Sequence, residues 1–596
     1  MRKLFSFTLT LSLFVCILLG SLSCAMLTAT AADNPDTAYS AVGARGVWHR
    51  PNASGRETTL DGLCSVLDEM AATGVNMVFL ETFYHGMTVY KTNLVPYYTG
   101  FDKYDYGEYP DYLTAFAEEA RKRNIEVHAW VETFYLGVSE TTPLVKYFPD
   151  WLLVNEKGSI RHSTEGASLG GYIFFDPANP GARDYLLRFY DELLTKVPAV
   201  SGLNIDYIRY PVSDFSAGTD TGYTDVAMTA FAEKHGLTLN ESDKIADFKS
   251  QLREASLVDK WTAYRADVVT SFVGEIHEMV KTSHPEAVIS VAVHPDESNA
   301  YYTKKQDFVT WVERGYIDVV TPMVYYYNAS QIASALRNMT AKFDGVYCYA
   351  GLYTTYHDQS TAELSAHIDA ALTNGADGFI LFESVKTFFN PAADYSSLLC
   401  AEYGGEHAPA ALPHRDTAGL IDATADVIEA TLTDSGTDNG DISAILTELA
   451  RISAIGEGSE AAIDEVLTAL ATLRDGITDT AVRDTLATLI GHIEVRKARL
   501  SFRGYPDDGN PPTDNPTDNP TDNPTDNPTD NPTDDPTDDP SDNPTDTPDD
   551  TPTDTPEGGT DVDPTPDEPR GFFDILRSFF ERIINWFRDL FSGKDK

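Results

Sequence analysis

The sequence predicts an α/β fold, a (β/α)₈ barrel of the TIM type, over about residues 41–403. Short apolar runs alternate with amphipathic helical stretches along this segment, which indicates parallel strands joined by helices. Ionisable or aromatic residues end most of these runs, as expected where strands open onto a barrel mouth. The composition then changes three times. These changes predict a small all-helical region at 412–502, a Pro/Thr/Asp-rich linker at 505–569 and an amphipathic helix at 571–592.

The eight predicted strands are short, apolar and bounded by turn or helix signals. The first is short and depends most on the barrel argument. In chain order the predicted strands are Ala44–His49, Val75–Thr82, Ile125–Glu132, Gly202–Ile208, Ala287–His294, Tyr316–Tyr325, Gly345–Gly351 and Gly378–Glu383.

Seven stretches between these strands place apolar residues at helical spacing. Long connections on either side of the fourth strand are expected to form loops and insertions at the barrel mouth. The predicted helices are Leu60–Thr73, Tyr112–Asn124, Ala182–Val197, Ser256–Ser283, Gln306–Arg314, Ser330–Phe343 and Thr361–Asn374.

The first 31 residues have the pattern of a secretory signal peptide. Arg2 and Lys3 give a positive start, an apolar run follows over Leu4–Leu19, and Ala29-Thr30-Ala31 offers a small-x-small cleavage site. The sequence therefore predicts a secreted or extracellular protein, associated with the cell surface if the C-terminal helix attaches there.

The C-terminal third has three parts. Residues 412–502 show helical spacing without strand signals, which predicts a helical bundle. Residues 507–553 repeat Pro-Thr-Asp-Asn or close variants and have no apolar groups for a core, so the linker 505–569 is expected to be disordered and extended. Residues 571–592 are predicted to form an amphipathic helix, which is expected to contact a membrane surface or a partner helix, or to pack back on the folded domains.

The composition narrows the class of partner. The net charge of −48 argues against nucleic acid, because binding nucleic acid needs basic patches. No glycine-rich phosphate loop follows a strand, and the histidines lack the clustering of a catalytic metal site. The sequence thus predicts neither a cofactor nor a metal, and a polysaccharide or oligosaccharide fits as substrate.

Carboxyl groups end several strands, and residue alternation indicates which of them face inward. Asp206 shares a face with Asn204, while Leu203 and Ile205 share the apolar face that suits the helix layer. The same reasoning turns Glu132 and His294 inward. Five ionisable residues therefore close strands at the predicted mouth: Glu81, Glu132, Asp206, His294 and Glu383.

Several carboxyl groups at one mouth are what glycosidic hydrolysis requires. One carboxylic acid protonates the departing oxygen, and a second carboxylate attacks the sugar or activates water. Asp206 is predicted to be one of the pair, with Glu132 or Glu383 as the other. The predicted substrate-binding residues are Glu81, Trp48, His49, Trp130, Tyr207, Arg209, His294, Tyr325 and Tyr327.

The fourth strand also carries a resemblance. It resembles the "GLHIDYIRYP" signature of the glycosyl hydrolase-like 10 family, and it reads Gly202-Leu203-Asn204-Ile205-Asp206-Tyr207-Ile208-Arg209-Tyr210-Pro211. The first, third and sixth strands of that family are similarly resembled by residues 45–48, 127–130 and 317–325. The resemblance implies a (β/α)₈ barrel, glycoside hydrolysis with Asp206 as the site acid, and bacterial cell-wall glycan as one substrate class.

A protein of another class remains open as the alternative. A barrel that has lost activity would act as a glycan-binding or surface-attachment protein, since fold alone does not imply function. The several carboxyl groups at the predicted mouth favour the enzyme.

Overall fold

The computed structural model describes residues 42–240, 242–354, 359–389, 395–404 and 411–503. The predicted signal peptide (1–31), linker (505–569) and amphipathic helix (571–592) lie outside the described residues and stay predictions.

Eight parallel strands form a closed barrel, as the sequence predicts. Each strand pairs in parallel with the next, and the first pairs with both the second and the eighth, which closes the sheet. The barrel strands are β1 (Ala44–His49), β2 (Met77–Tyr84), β3 (Glu126–Val131), β4 (Val200–Ile205), β5 (Val288–Val293), β6 (Val319–Pro322), β7 (Tyr347–Tyr353) and β8 (Gly378–Phe382).

The predicted strand positions are close to the observed ones except at β6. The predicted run Tyr316–Tyr325 is far longer than the four residues of β6. Beyond Pro322 the chain turns tightly, because Val324 and Tyr325 donate backbone hydrogen bonds to the carbonyls two residues before them. The apolar run therefore continues into the mouth loop after the strand has ended.

The helices surround the barrel and then form a separate bundle. Short two- and three-residue strands at Met87–Thr88, Tyr135–Gly137 and Ile173–Phe174 lie in the loops after β2 and β3. The helices are α1 (Leu60–Ala72), α2 (Tyr112–Arg121), α3 (Pro143–Tyr147), α4 (Pro180–Lys196), α5 (Asp225–His235), α6 (Lys244–Glu254), α7 (Val258–Ser283), α8 (Glu297–Lys304), α9 (Phe308–Glu313), α10 (Ala329–Thr340), α11 (Thr361–Leu372), α12 (Ser384–Phe388), α13 (Tyr395–Tyr403), α14 (Thr417–Asp434), α15 (Asn439–Ser453), α16 (Glu460–Gly476) and α17 (Thr480–Arg503).

Residue alternation in β4 divides the polar interior from the helix layer. Leu203 and Ile205 are fully buried in the large apolar core between strands and helices. Asn204 instead faces the barrel interior, where its side chain accepts from Trp48 Nε1 at 3.2 Å and donates to Ser290 Oγ at 3.1 Å. The inward orientation predicted for alternate β4 residues is confirmed.

The helical region α14–α17 has its own apolar core and contacts the barrel through α17. Tyr347 at the start of β7 donates its hydroxyl to the backbone oxygen of His492, and Arg499 pairs with the buried carboxylate of Asp318. Because β7 begins at Tyr347, these contacts lie at the amino-terminal end of the barrel, opposite the mouth. Among the described residues, no helix is both long and apolar enough to cross a membrane.

Candidate active site

Four carboxyl groups from four different strands lie at the mouth of the barrel. Glu81 lies within β2 near its end, while Glu132, Asp206 and Glu383 each come directly after a strand. Parallel strands end at the same edge of a barrel, so these side chains share one cleft. The structure thus brings together the three predicted catalytic residues and Glu81.

Arg50 is the cation of this cluster, and it was missed by the sequence analysis. Its Nε donates to Glu383 Oε2 at 2.7 Å, and its Nη1 donates to Glu81 Oε1. The guanidinium carbon lies 4.9 Å from the ring centroid of Trp130. Arg50 follows β1 and stands two residues after the inward Trp48, so the alternation rule contained the signal for it.

Asp206 is the most accessible of the four carboxyl groups. Its Oδ2 accepts from Trp130 Nε1 at 3.2 Å, and its Oδ1 accepts from the backbone N–H of Tyr207 at 2.6 Å. Burial raises the pKa of Asp206, and these two donors oppose the rise because they stabilise the charged form. The side chain is half-buried, so a molecule in the cleft can reach it.

Glu132 has the opposite environment. It is only 3 % exposed, and its Oε2 has no hydrogen-bond partner among the described residues. Burial raises its pKa well above the ordinary value, and the neighbouring charge of Glu81 adds to the rise. An unpartnered buried oxygen disfavours the anion, so the environment of Glu132 favours the protonated form that a general acid requires.

Glu81 lies beside a cavity of about 190 Å³ next to Arg50, Tyr84, Met87 and Tyr98. Burial raises the pKa of Glu81 to about 7, from an ordinary value of 4.5; the charge of Arg50 opposes this rise, and that of Glu383 adds to it. Glu81 therefore exchanges its proton near neutral pH, within hydrogen-bond reach of Arg50.

The raised pKa of Glu81 gives a prediction for pH-dependent stability. The folded protein retains a proton that the unfolded chain releases above pH 4.5, so the free energy of unfolding decreases as pH rises from about 4.5 to about 7. Glu81→Gln cannot titrate. We expect its Tm to fall less than the wild-type Tm between pH 5 and pH 8, measured by calorimetry. Parallel Tm curves for the two proteins would contradict the prediction.

Two predicted sugar platforms are too deeply buried for that role. Trp48 and Trp130 are each 1 % exposed. Trp48 packs edge-on against Phe79 and Phe382 inside the barrel, and Trp130 lies under Arg50 and donates to Asp206. The substrate-binding assignments of both tryptophans are corrected, because neither presents a ring face to the cleft.

His49 was also assigned wrongly. Its side chain points away from the cleft and is fully buried, where Nδ1 lies 2.8 Å from Ser384 Oγ and Nε2 lies 2.9 Å from Glu57 Oε2. The ring stacks on Phe116 of α2. Since Trp48 points inward, its neighbour must point outward, and His49 joins β1 to the surrounding helix layer.

The remaining predicted residues lie around the rim of the cleft. Tyr207 is half-buried and stacks on Tyr135. The guanidinium of Arg209 lies over the Tyr207 ring, and both its terminal nitrogens donate to the carboxylate of Glu165. Arg209 therefore braces the loop after β4. His294 and Tyr325 are half-buried and Tyr327 is exposed. Their contact with a sugar stays a prediction. Burial lowers the pKa of His294 to about 4, so its imidazole is neutral.

Comparison with known proteins decides the family. The model of the glycosyl hydrolase-like 10 family matches residues 44–352, more than half of the chain. This chain belongs to that family. The matched range includes Arg50, Glu81, Glu132 and Asp206, whereas Glu383 lies beyond it.

Named relatives are similar to part of this chain. Glycosyl hydrolase YngK of Bacillus subtilis is 24% identical over 288 residues, which cover 44% of this chain and 48% of the relative. Glycosyl hydrolase DigH of Escherichia coli K12 is 23% identical over 286 residues, which cover 44% of this chain and 56% of the relative. The chain thus spans about half the length of these curated relatives.

Solved glycosidase structures are also similar at low identity. A β-galactosidase from Bacillus circulans is 14% identical, with a TM-score of 0.41 over 61% of this chain and 55% of that chain. The catalytic domain of a β-amylase from Paenibacillus polymyxa is 11% identical, with a TM-score of 0.37 over 57% of this chain and 92% of that chain.

Proposed function

We propose that this protein is a secreted glycoside hydrolase that cleaves O-glycosidic bonds of a polysaccharide by acid/base catalysis between two carboxyl groups. The observation that carries the proposal is the convergence of four carboxyl groups at one barrel mouth, two of which accept hydrogen bonds from the guanidinium of Arg50. Membership of a glycosyl hydrolase-like family agrees with it.

The environments of the carboxyl groups favour different roles. Glu132 is buried with a raised pKa and serves as the general acid that protonates the departing oxygen. Asp206 is accessible and accepts two hydrogen bonds, so it is the carboxylate that attacks the sugar or activates water. Glu383 is paired with Arg50, which makes it the weaker partner for Asp206.

Glu81 and Arg50 support this pair from the side of the cleft. Glu81 accepts from Arg50 and lies beside the small cavity, so it suits a contact with a sugar hydroxyl. Arg50 places a positive charge among four acids. Its charge limits the rise in the pKa values of Glu81 and Glu132.

The rim supports a polymeric, uncharged ligand. Tyr325 and Tyr327 offer aromatic rings with polar tips around the opening. Bacterial cell-wall glycan is the first polymer to test, because it is a substrate class that the sequence resemblance implies.

Secretion belongs to the same proposal. The signal-peptide pattern of 1–31 is its support, and the amphipathic pattern of 571–592 supports attachment to a surface or to a partner helix. Amino-terminal sequencing of the exported protein tests the first part: cleavage after Ala31 is expected, and an intact Met1 terminus contradicts it.

The experiment that tests the activity uses the full chain. The purified protein is incubated with bacterial cell-wall glycan and with neutral plant polysaccharides, and new reducing ends are measured. Release of reducing ends from any one polymer supports the proposal. Binding without release, measured by calorimetry on the same polymers, supports the non-catalytic glycan-binding alternative instead.

A further inference from the structure

A second cluster of ionisable side chains lies at the opposite end of the barrel. Glu126 and His128 share the inward face of β3, and His414 enters from the segment that leads into α14. Glu126 Oε1 lies 2.9 Å from His128 Nε2 and 2.8 Å from His414 Nε2. The three potential ligand atoms all lie within 4.8 Å of one another.

Each of these side chains is also held at its other end. Tyr349 OH lies 2.7 Å from His414 Nδ1, and Ser290 Oγ lies 3.5 Å from His128 Nδ1. Arg415 lies 2.8 Å from Glu126 Oε2. Ligand histidines and carboxylates in metal sites are held in this manner by outer partners, which fix their orientation and tautomer.

We propose that Glu126, His128 and His414 bind a divalent transition-metal ion, with Zn²⁺ as the best match. Two imidazole nitrogens and one carboxylate oxygen suit zinc, whereas Mg²⁺ and Ca²⁺ prefer oxygen ligands alone. Bonds of about 2.0–2.1 Å in a tetrahedron separate ligand atoms by roughly 3.3 Å. The observed nitrogen–oxygen distances are about half an ångström shorter, so binding requires a small opening.

The surroundings permit this opening and supply a route for the ion. Arg415 is 54 % exposed, so water can solvate its charge when it moves, and the bound ion then pairs with the buried carboxylate of Glu126. A cavity of about 530 Å³ is lined by Glu126 and Arg415 and continues along Asn76, Arg121 and Asp416. Its polar wall gives the ion a path, and a water molecule in it can complete the four ligands.

The site would join the barrel to the helical region. The ion would bridge β3 to the segment just before α14, at the end of the barrel where α17 also makes its contacts. Glu126 and Glu132 are six residues apart on one extended strand, which places the ion roughly 20 Å from the general acid. The proposed metal is therefore structural and independent of the glycosidase proposal.

The test measures Zn²⁺ binding by the full chain after treatment with a chelator. The protein is dialysed against Zn²⁺, and its metal content is determined by mass spectrometry. We expect one bound equivalent for the wild type and for the control His284→Gln, whose histidine pairs with a surface aspartate. We expect that equivalent to be lost in His414→Gln. Adding Zn²⁺ is expected to raise the Tm of the wild type and of His284→Gln but not that of His414→Gln.

Equal metal content in the wild type and His414→Gln, including none in either, overturns the proposal and leaves the cluster as a hydrogen-bonded joint. A second measurement needs no variant. Co²⁺ added to the chelator-treated wild type is expected to produce the visible absorption bands of a tetrahedral nitrogen/oxygen site. Their absence overturns the proposal even if His414→Gln fails to fold.

Discussion

Asp206→Asn is expected to lower kcat on a cleavable glycan by at least about 10²-fold, the lower bound for removing a general acid or base. The amide keeps one oxygen, which can accept from Trp130 Nε1 or from the backbone N–H of Tyr207, while the negative charge and one of these two hydrogen bonds are lost. Reducing-end assays give kcat, and calorimetry gives the affinity for the glycan, which should change little.

Two further variants separate the partners of Asp206. Glu132→Gln is expected to lose activity and also the decline of activity at alkaline pH, since that decline reports loss of the acid proton as pH rises through its pKa. Glu383→Gln should retain a pH profile of the wild-type shape. Glu140→Gln changes an exposed residue in the loop after β3 and serves as the matched control.

Wild-type kcat in Asp206→Asn would refute the catalytic role of that residue. If instead Glu383→Gln removes the alkaline decline and Glu132→Gln does not, the acid is Glu383 and the proposed roles exchange. Thermal melts of all four variants show whether a lost activity reflects lost folding.

Alternation along strands predicted the barrel and most of the directions in which side chains point. Asn204 faces inward and Leu203 outward as predicted, because a strand residue has only two faces to choose between. The same rule applied one residue at a time would have turned His49 outward and Arg50 inward. Position at the end of a strand does not distinguish these two faces, whereas parity does.

The sequence does not show how deeply Trp48 and Trp130 are buried in the barrel. Parity turns Trp48 and Trp130 inward, yet it does not say that Arg50 and Phe382 cover them. Those covering contacts come from β1 and β8, which are far apart in the chain. Burial of a platform residue therefore depends on the closed barrel, which a single strand does not specify.

The attachment of the helical region was equally hidden. The sequence predicted a helical bundle over 412–502, and α14–α17 have an apolar core of their own there. Its attachment to the barrel depends on backbone carbonyls, whose positions no residue pattern reveals. Arg499 donates to the carbonyls of Ile317, Asp318 and Gly345, and these groups meet only once the barrel has formed.

Arg499→Met is expected to lower the free energy of unfolding by roughly 3 kcal/mol, the low end of the range for breaking a buried ion pair. The arginine is 6 % exposed, and its removal takes one donor from each of three carbonyls, of which that of Asp318 keeps the N–H of Tyr347. Lys281 remains bound to Asp318, which keeps the loss at the low end. Methionine preserves the apolar stem, and urea denaturation measures the change.

Arg451→Met is the matched control, because Arg451 pairs with Glu448 on the exposed surface of the same helical region, and its loss should leave the free energy of unfolding nearly unchanged. Equal losses in the two variants would mean that Arg499 does not fasten α17 to the barrel. If only Arg499→Met greatly lowers the free energy of unfolding, a chain cut after the barrel would expose buried polar groups at the amino-terminal end of the barrel. Activity must then be assayed on protein that retains α14–α17.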